Sequence, residues 1–372
     1  MLNTEETEEI LSTLTLTRLQ GLSQSQALAL VNFYGSATEA LADAHPKEAH
    51  WASIMQNAAA LRQARDRAQE EYDFCQRHGI RVLTVTSPDY PRLLLSDEVT
   101  DRPLQLFYRG TANLNCRHSL SIVGTRQITE YGKQMCENLL RDLATLIPDL
   151  LVVSGLAYGV DIHAHRAALA HDLNTVAVLA HGLDRIYPRL HRDTAKEMTH
   201  HGGLLTEYFS QTNPDKGNFV RRNRIVAGMT SATLIVESAS HGGSLITATL
   251  ASGYGREVMA VPGRATDECS AGCNQFIREN RASLVTSAAD IINVLGWKVA
   301  NPARPAQPTL FPIFSPEQER ILSVMHTADE LTLDQLSSAT SYSISQLTDL
   351  LFDLEDAAAV KRMPGNRYRL CK

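Results

Sequence analysis

Six short apolar runs between residues 120 and 261 each stop at a glycine or a polar residue, and this repeat constrains the fold more than any other feature. Leu120 to Val123 stops at Gly124-Thr125-Arg126, Leu150 to Val153 at Ser154-Gly155, and Thr175 to Ala180 at His181-Gly182. Leu204 to Thr206 stops at Glu207, Thr233 to Val236 at Glu237-Ser238, and Glu257 to Val261 at Pro262-Gly263. Helical patterns intervene, from about Thr129 and about Asp161 onward. Short, β-branched runs that are apolar on both faces are strands covered on both sides, which requires a parallel sheet between helical layers. In such sheets ligands bind beyond the carboxyl ends of the strands. That is where the glycines and polar residues collect. The expected fold class is α/β, with a Rossmann-like parallel sheet core over residues 76–300.

The flanks read differently. Residues 1–75 form an expected helical N-terminal domain, helix-hairpin-helix-like. Leu19 to Leu41 carries helical spacing on both sides of Gly35-Ser36, with Ser36 and Glu39 placed as a capping box. Arg81 to Thr86 alternates like a strand, and Leu104 to Tyr108 reads as a second one. Residues 301–314 are a Pro-rich linker, with four prolines between Asn301 and Pro312. Residues 315–372 resemble a small winged-helix domain. Helices are predicted at Pro316 to His326, Thr332 to Ala339 and Ser343 to Asp356, before a basic hairpin from Val360 to Leu370. Such domains bind duplex DNA or mediate protein contacts, and the sequence leaves both open.

Composition narrows the partners. A formal net charge of −6 on 372 residues excludes coating nucleic acid by bulk attraction, so any such site is a local basic patch. The acidic start, M-L-N-T-E-E, lacks the basic and apolar regions of a signal peptide. No apolar run reaches the roughly 18 residues of a membrane span. Six cysteines at scattered spacing suggest reduced thiols and a cytoplasmic protein. Cys269 and Cys273 are the one close pair, with no second Cys/His pair at zinc spacing, so neither metal nor cofactor is expected.

The chemistry concentrates from Lys216 onward, where K-G-N-F-V-R-R-N-R places Lys216, Arg221, Arg222, Arg224 and the aromatic Phe219 within nine residues. Cations interleaved with an aromatic suit a phosphate backbone and a stacked base. They also suit a solvated helix face. Ser154-Gly155 and His241-Gly242-Gly243-Ser244 each join a strand end to a helix start, where glycine allows close approach and free N–H groups attract anions. Neither fits G-x-G-x-x-G, so a phosphate is plausible and NAD is not. Arg126 ends the first strand on the same rim. His163 and His165, two apart on a helix, face different ways and make poor joint ligands. Glu207 and Glu237 each end a strand, as a general base or as acceptors for the turns.

Taken together, V-G-T-R-x-x-x-x-Y-G, S-G-L-A-x-G-V-D-x-x-A-H, F-V-R-R-N-R-I-V-A-G, G-G-S-L-I-T-A and V-P-G resemble the DNA-processing protein A (DprA/Smf) family. The likeness spans Arg81 to Trp297, with five motifs in order. It implies a single-stranded DNA-binding protein, not an enzyme, that protects incoming DNA and loads the recombinase RecA during natural transformation. It also implies dimerisation through the core. By motif, the DNA-binding residues would be Arg126, Ser154, Gly155, Lys216, Asn218, Phe219, Arg221, Arg222, Arg224, Gly242, Gly243 and Ser244. Asn223 and Arg224 could instead brace the helix start. Val220 stands where the family usually has proline, and Gly242-Gly243-Ser244 stands for S-G-S. The rival is a nucleotide-binding or nucleoside-monophosphate-hydrolysing enzyme of the LOG-like Rossmann group. Its P-G-G-x-G-T-x-x-E glutamate has no counterpart here, since Ala248 and Thr249 occupy the region.

Overall fold

The computed structural model describes residues 4–43, 48–299, 314–326, 330–356, 359–363 and 366–370. The chain divides into two compact units, Met1–Ala300 and Asn301–Lys372. Most of the Pro-rich linker expected at 301–314 lies outside the described residues.

The first unit opens with five helices: α1 (Thr4–Leu16), α2 (Gln24–Tyr34), α3 (Ala37–Ala42), α4 (Ala49–Gln56) and α5 (Ala58–Arg77). Ser36 caps α3 through the Glu39 N–H at 3.0 Å. The reciprocal capping box forms one helix earlier, between Ser23 and Gln26.

Nine strands follow: β1 (Arg81–Thr84), β2 (Gln105–Gly110), β3 (Ser119–Val123), β4 (Leu151–Ser154), β5 (Asn174–Val178), β6 (Gly202–Thr206), β7 (Ala232–Ile235), β8 (Glu257–Ala260) and β9 (Ser283–Leu284). They form one sheet in the order β1-β2-β6-β5-β4-β3-β7-β8-β9. From β6 to β9 every pairing is parallel. Strand β2 runs against both its neighbours, so the expected parallel sheet gains an antiparallel margin. Between β1 and β2 the chain forms only a short 3₁₀ turn, Arg92–Leu95, and no α-helix of the kind that usually carries a parallel crossover.

Seven helices cover the sheet: α6 (Glu130–Leu146), α7 (Val160–Ala170), α8 (Arg192–Met198), α9 (Lys216–Gly228), α10 (Gly243–Gly253), α11 (Ala271–Arg278) and α12 (Ala288–Leu295). Helices α6, α7 and α12 share one apolar core with the sheet, through Leu139, Leu140, Ala164, Ala168 and Ile291. Helices α9, α10 and α11 share the other, through Ile225, Val226, Ala248, Ala251 and Phe276. The chain therefore leaves β3 toward one face and β7 toward the opposite face. The two strands are neighbours, with Val123 opposite Ile235. That divergence opens a crevice beyond their carboxyl ends.

In the second unit α13 (Pro316–Met325), α14 (Leu333–Thr340) and α15 (Ile344–Asp356) accompany β10 (Leu331–Thr332), β11 (Val360–Met363) and β12 (Arg367–Leu370). The strands form a small antiparallel sheet, and Ile321, Leu336, Leu347, Leu351 and Tyr368 form its core with the helices. No helix among the described residues is long and apolar enough to cross a membrane.

Candidate nucleic-acid interface

The crevice at the β3/β7 divergence is a groove of about 750 Å³. Its walls come from the turn after β3 (Gly124 to Arg126), the turn after β4 (Gly155, Ala157, Asp161), the start of α10 (Gly242 to Ser244) and one face of α9. The basic tract is helical. Asp215 caps α9 by accepting the Asn218 N–H at 2.9 Å, so the acid preceding the cations fixes where the helix begins.

Helical spacing then sorts the tract. Lys216, Phe219, Arg222, Asn223 and Val226 line the groove. Arg126 is exposed and stacks its guanidinium over the Phe219 ring at 5.3 Å. Tyr187, from the loop before α8, lies on the other flank, its ring 6.0 Å from that of Phe219. Lys216 is exposed as well. The groove thus joins two accessible cations to a pair of aromatic rings.

Four predicted residues of the tract face elsewhere or are already engaged. Arg222 is buried and donates to the carbonyls of Gly155, at 2.7 Å, and Val178. Burial lowers its pKa, against the opposing charge of Asp161. Arg224 is buried in an ion pair with Glu207. Arg221 is exposed on the far side of α9 and lines a separate cavity. Asn218 enters the start of α9 itself, and its Nδ2 donates to the Asn213 carbonyl at 3.2 Å.

The β4–α7 turn is also occupied from within. The Asp161 carboxylate accepts the N–H groups of Gly155 (3.1 Å) and Ala157 (3.3 Å). Burial pushes this carboxyl above its ordinary range, with the Arg222 charge pulling the other way. Ser154 is buried and donates to the Ile122 carbonyl at 2.6 Å. Gly155 admits Arg222: a Cβ there would meet the guanidinium at 2.4 Å.

The β7–α10 turn is open by contrast. Helix α10 starts at Gly243 without a side-chain cap, and a Cβ on Gly243 would meet nothing within 4 Å. Ser244 turns inward and donates to Ser238 at 2.8 Å. Below the groove, Glu237 accepts from the N–H and hydroxyl of Thr129 and braces the loop after β3. His165 is fully buried against Thr175 at 2.7 Å, and burial pushes it down to about 3. Among the described residues no group of three or more His, Cys, Asp or Glu is placed to hold a metal ion.

Sequence reasoning missed Asp161 and Tyr187. Asp161 was visible as an acid opening a helix after a glycine-rich turn; nothing local marked Tyr187.

Known proteins share this architecture. Residues 81–296 match the family described as DNA recombination-mediator protein A, and residues 300–366 match the DprA winged helix domain. Protein Smf of Escherichia coli is 31% identical over 360 residues, covering 92% of this chain and 94% of its own. DNA processing protein DprA of Bacillus subtilis is 37% identical over 221 residues, 59% of this chain and 73% of its own. The crystal structure of DNA processing protein A from Streptococcus pneumoniae superposes with a TM-score of 0.64 at 29% identity, covering 79% of this chain and 98% of that one. The Helicobacter pylori protein, whose structure concerns its single-stranded DNA binding mode, gives 0.52 at 30% identity, over 58% and 95%. With both of its domain signatures present and near-complete coverage of a relative, the chain belongs to the DNA processing protein A (DprA/Smf) family.

Proposed function

We propose that this protein holds single-stranded DNA in the groove at the β3/β7 divergence, protects it, and passes it to RecA during transformation or recombination. It does so as a cytoplasmic homodimer and without catalysing a reaction. The observation that carries this reading is the meeting of Arg126 and Lys216 with the Phe219 and Tyr187 rings beside the uncapped start of α10. Cations take phosphates, rings take bases of any sequence, and the helix start offers N–H groups to a further phosphate. The carboxylates nearest the groove favour binding over hydrolysis. Asp161 is held by two N–H groups, Asp215 is a helix cap and Glu237 is held by Thr129.

The test is fluorescence-anisotropy binding of single-stranded and duplex oligonucleotides across a salt series. Two cation–phosphate contacts per groove predict a slope of log K against log salt of about −1.4 on single strands. Arg126→Ala/Lys216→Ala should flatten that slope and weaken binding to all sequences alike. Equal affinity for duplex, or a slope unchanged in the double variant, would overturn the reading. RecA transfer is then read as strand exchange on DNA precoated with single-strand-binding protein, with and without this protein.

A further inference from the structure

Helix α9 is a partition. Its far side faces a second cavity of about 290 Å³, bounded also by the α1–α2 connection and by residues after β6. Arg18 and Arg221 line it from its exposed side, and neither has an ion-pair partner among the described residues. Gln105 and Glu207 line it from within, both nine-tenths buried. The Oε1 of each lacks any hydrogen-bond partner, although Gln105 Nε2 donates to the Glu207 carbonyl at 3.2 Å and Glu207 Oε2 pairs with Arg224. Two orphaned acceptors beside two arginines without carboxylate partners, Arg18 resting over the Phe209 ring at 5.2 Å, are uncommon, because buried polar atoms ordinarily find partners.

We propose that this cavity binds one nucleotide whose base carries an exocyclic amino group. The two amino hydrogens go to Glu207 Oε1 and Gln105 Oε1, and the phosphate goes to Arg18 and Arg221. The terminal amide and carboxylate torsions are broad, so small turns bring both oxygens to a guest. A cationic amine is repelled by the arginines. A plain anion leaves the two acceptors unsatisfied. An aminated base joined to a phosphate satisfies both ends. Thymine presents a single N–H between two carbonyls and fits poorly. The nucleotide is either free or a residue of a bound strand that extends past α9, and both share this chemistry.

Calorimetry with dCMP, dAMP and dTMP, and anisotropy with oligo(dC) and oligo(dT) of equal length, separate the sources. Wild type is compared with Arg18→Ala/Arg221→Ala, both on exposed side chains, and with Arg126→Ala in the groove. A free nucleotide site gives dCMP and dAMP binding that is about tenfold weaker in the first variant and unchanged in the second. A strand site gives no binding of free nucleotides, but Arg18→Ala/Arg221→Ala weakens oligo(dC) about tenfold more than oligo(dT). Equal loss for both oligonucleotides means a phosphate contact without base recognition and overturns the proposal. So does silence in every arm, which would leave a hydrated crevice. Arg126→Ala reports on the groove alone, so failure of this site and failure of the groove are distinguishable.

Discussion

The β4–α7 turn and the β7–α10 turn lie on either side of β3 at the carboxyl edge of the sheet, and each feeds a helix that begins at glycine without a side-chain cap. Their sequences promise the same anion site. In the first, Asp161 folds back onto the N–H groups of Gly155 and Ala157, and Arg222 closes over the Gly155 carbonyl. In the second, no carboxylate caps the helix and open space lies over Gly243. An anion site at a helix start persists only where the chain does not supply its own anion. One turn has become internal architecture, and the other still faces a ligand.

The largest expected effect of that contrast is on stability. Arg222→Met removes the charge opposite buried Asp161 and three hydrogen bonds, to Gly155, Val178 and Asn223, at a cost of about 3–5 kcal/mol in urea denaturation. Arg126→Ala, on an exposed side chain over Phe219, should stay within about 0.5 kcal/mol of wild type while losing DNA affinity. Comparable destabilisation by both would erase the division between structural and ligand-facing arginines within the family motifs.

That division was partly legible in the sequence. The strand ends, the two turns and the basic tract follow from apolar runs and glycines, which are local signals. The antiparallel placement of β2 and the existence of two-residue β9 do not, since pairing partners are chosen by the whole sheet. Within the tract the decisive cue was present and subtle. Read with Asp215 as N-cap, helical spacing puts Phe219, Arg222, Asn223 and Val226 on one face and Arg221 and Arg224 on the other. Counted without that phase, the tract offers four cations to phosphates, whereas the groove exposes Lys216 from the tract and Arg126 from the β3 turn. Which arginine is buried depends on Gly155, more than sixty residues away, and no local pattern carries that.

A smaller effect comes from adding one methyl group to each turn. Gly155→Ala drives a Cβ to within 2.4 Å of a guanidinium fixed by two carbonyls, and overpacking of this kind costs about 1–3 kcal/mol. Gly243→Ala meets open space and should leave the thermal midpoint nearly unchanged. Its effect belongs in the binding assay, where a methyl over the helix start obstructs a phosphate. A Gly243→Ala protein that melts early, or one that binds DNA as wild type does, would remove the β7–α10 turn from the interface.

The smallest effect concerns how dry the filled turn is. His165 lies on α7 behind it, fully buried, and burial with the nearby Arg222 charge pushes its pKa down to about 3. Above pH ~6.5 the ring is neutral in folded and unfolded chains alike, and it contributes no pH dependence. As pH falls below that value the unfolded chain takes up a proton that the folded chain refuses. Stability then drops by up to about 1.4 kcal/mol per pH unit from this one group. His181 and His191, also lowered by burial, add loss of the same sign. Asp161 and Glu207, raised by burial, work in the opposite direction, because the folded state binds their protons first. The raw profile therefore mixes both kinds, and a difference profile isolates His165. His165→Gln keeps a polar group toward Thr175 and cannot titrate, so its stability curve should diverge from wild type only below pH ~6.5, with wild type falling faster. Parallel curves down to pH ~5 would mean that water reaches the ring. The enclosure around Asp161 and Arg222 would then be looser than their hydrogen bonds indicate, and the filled turn would have to be counted among the sites open to an outside anion.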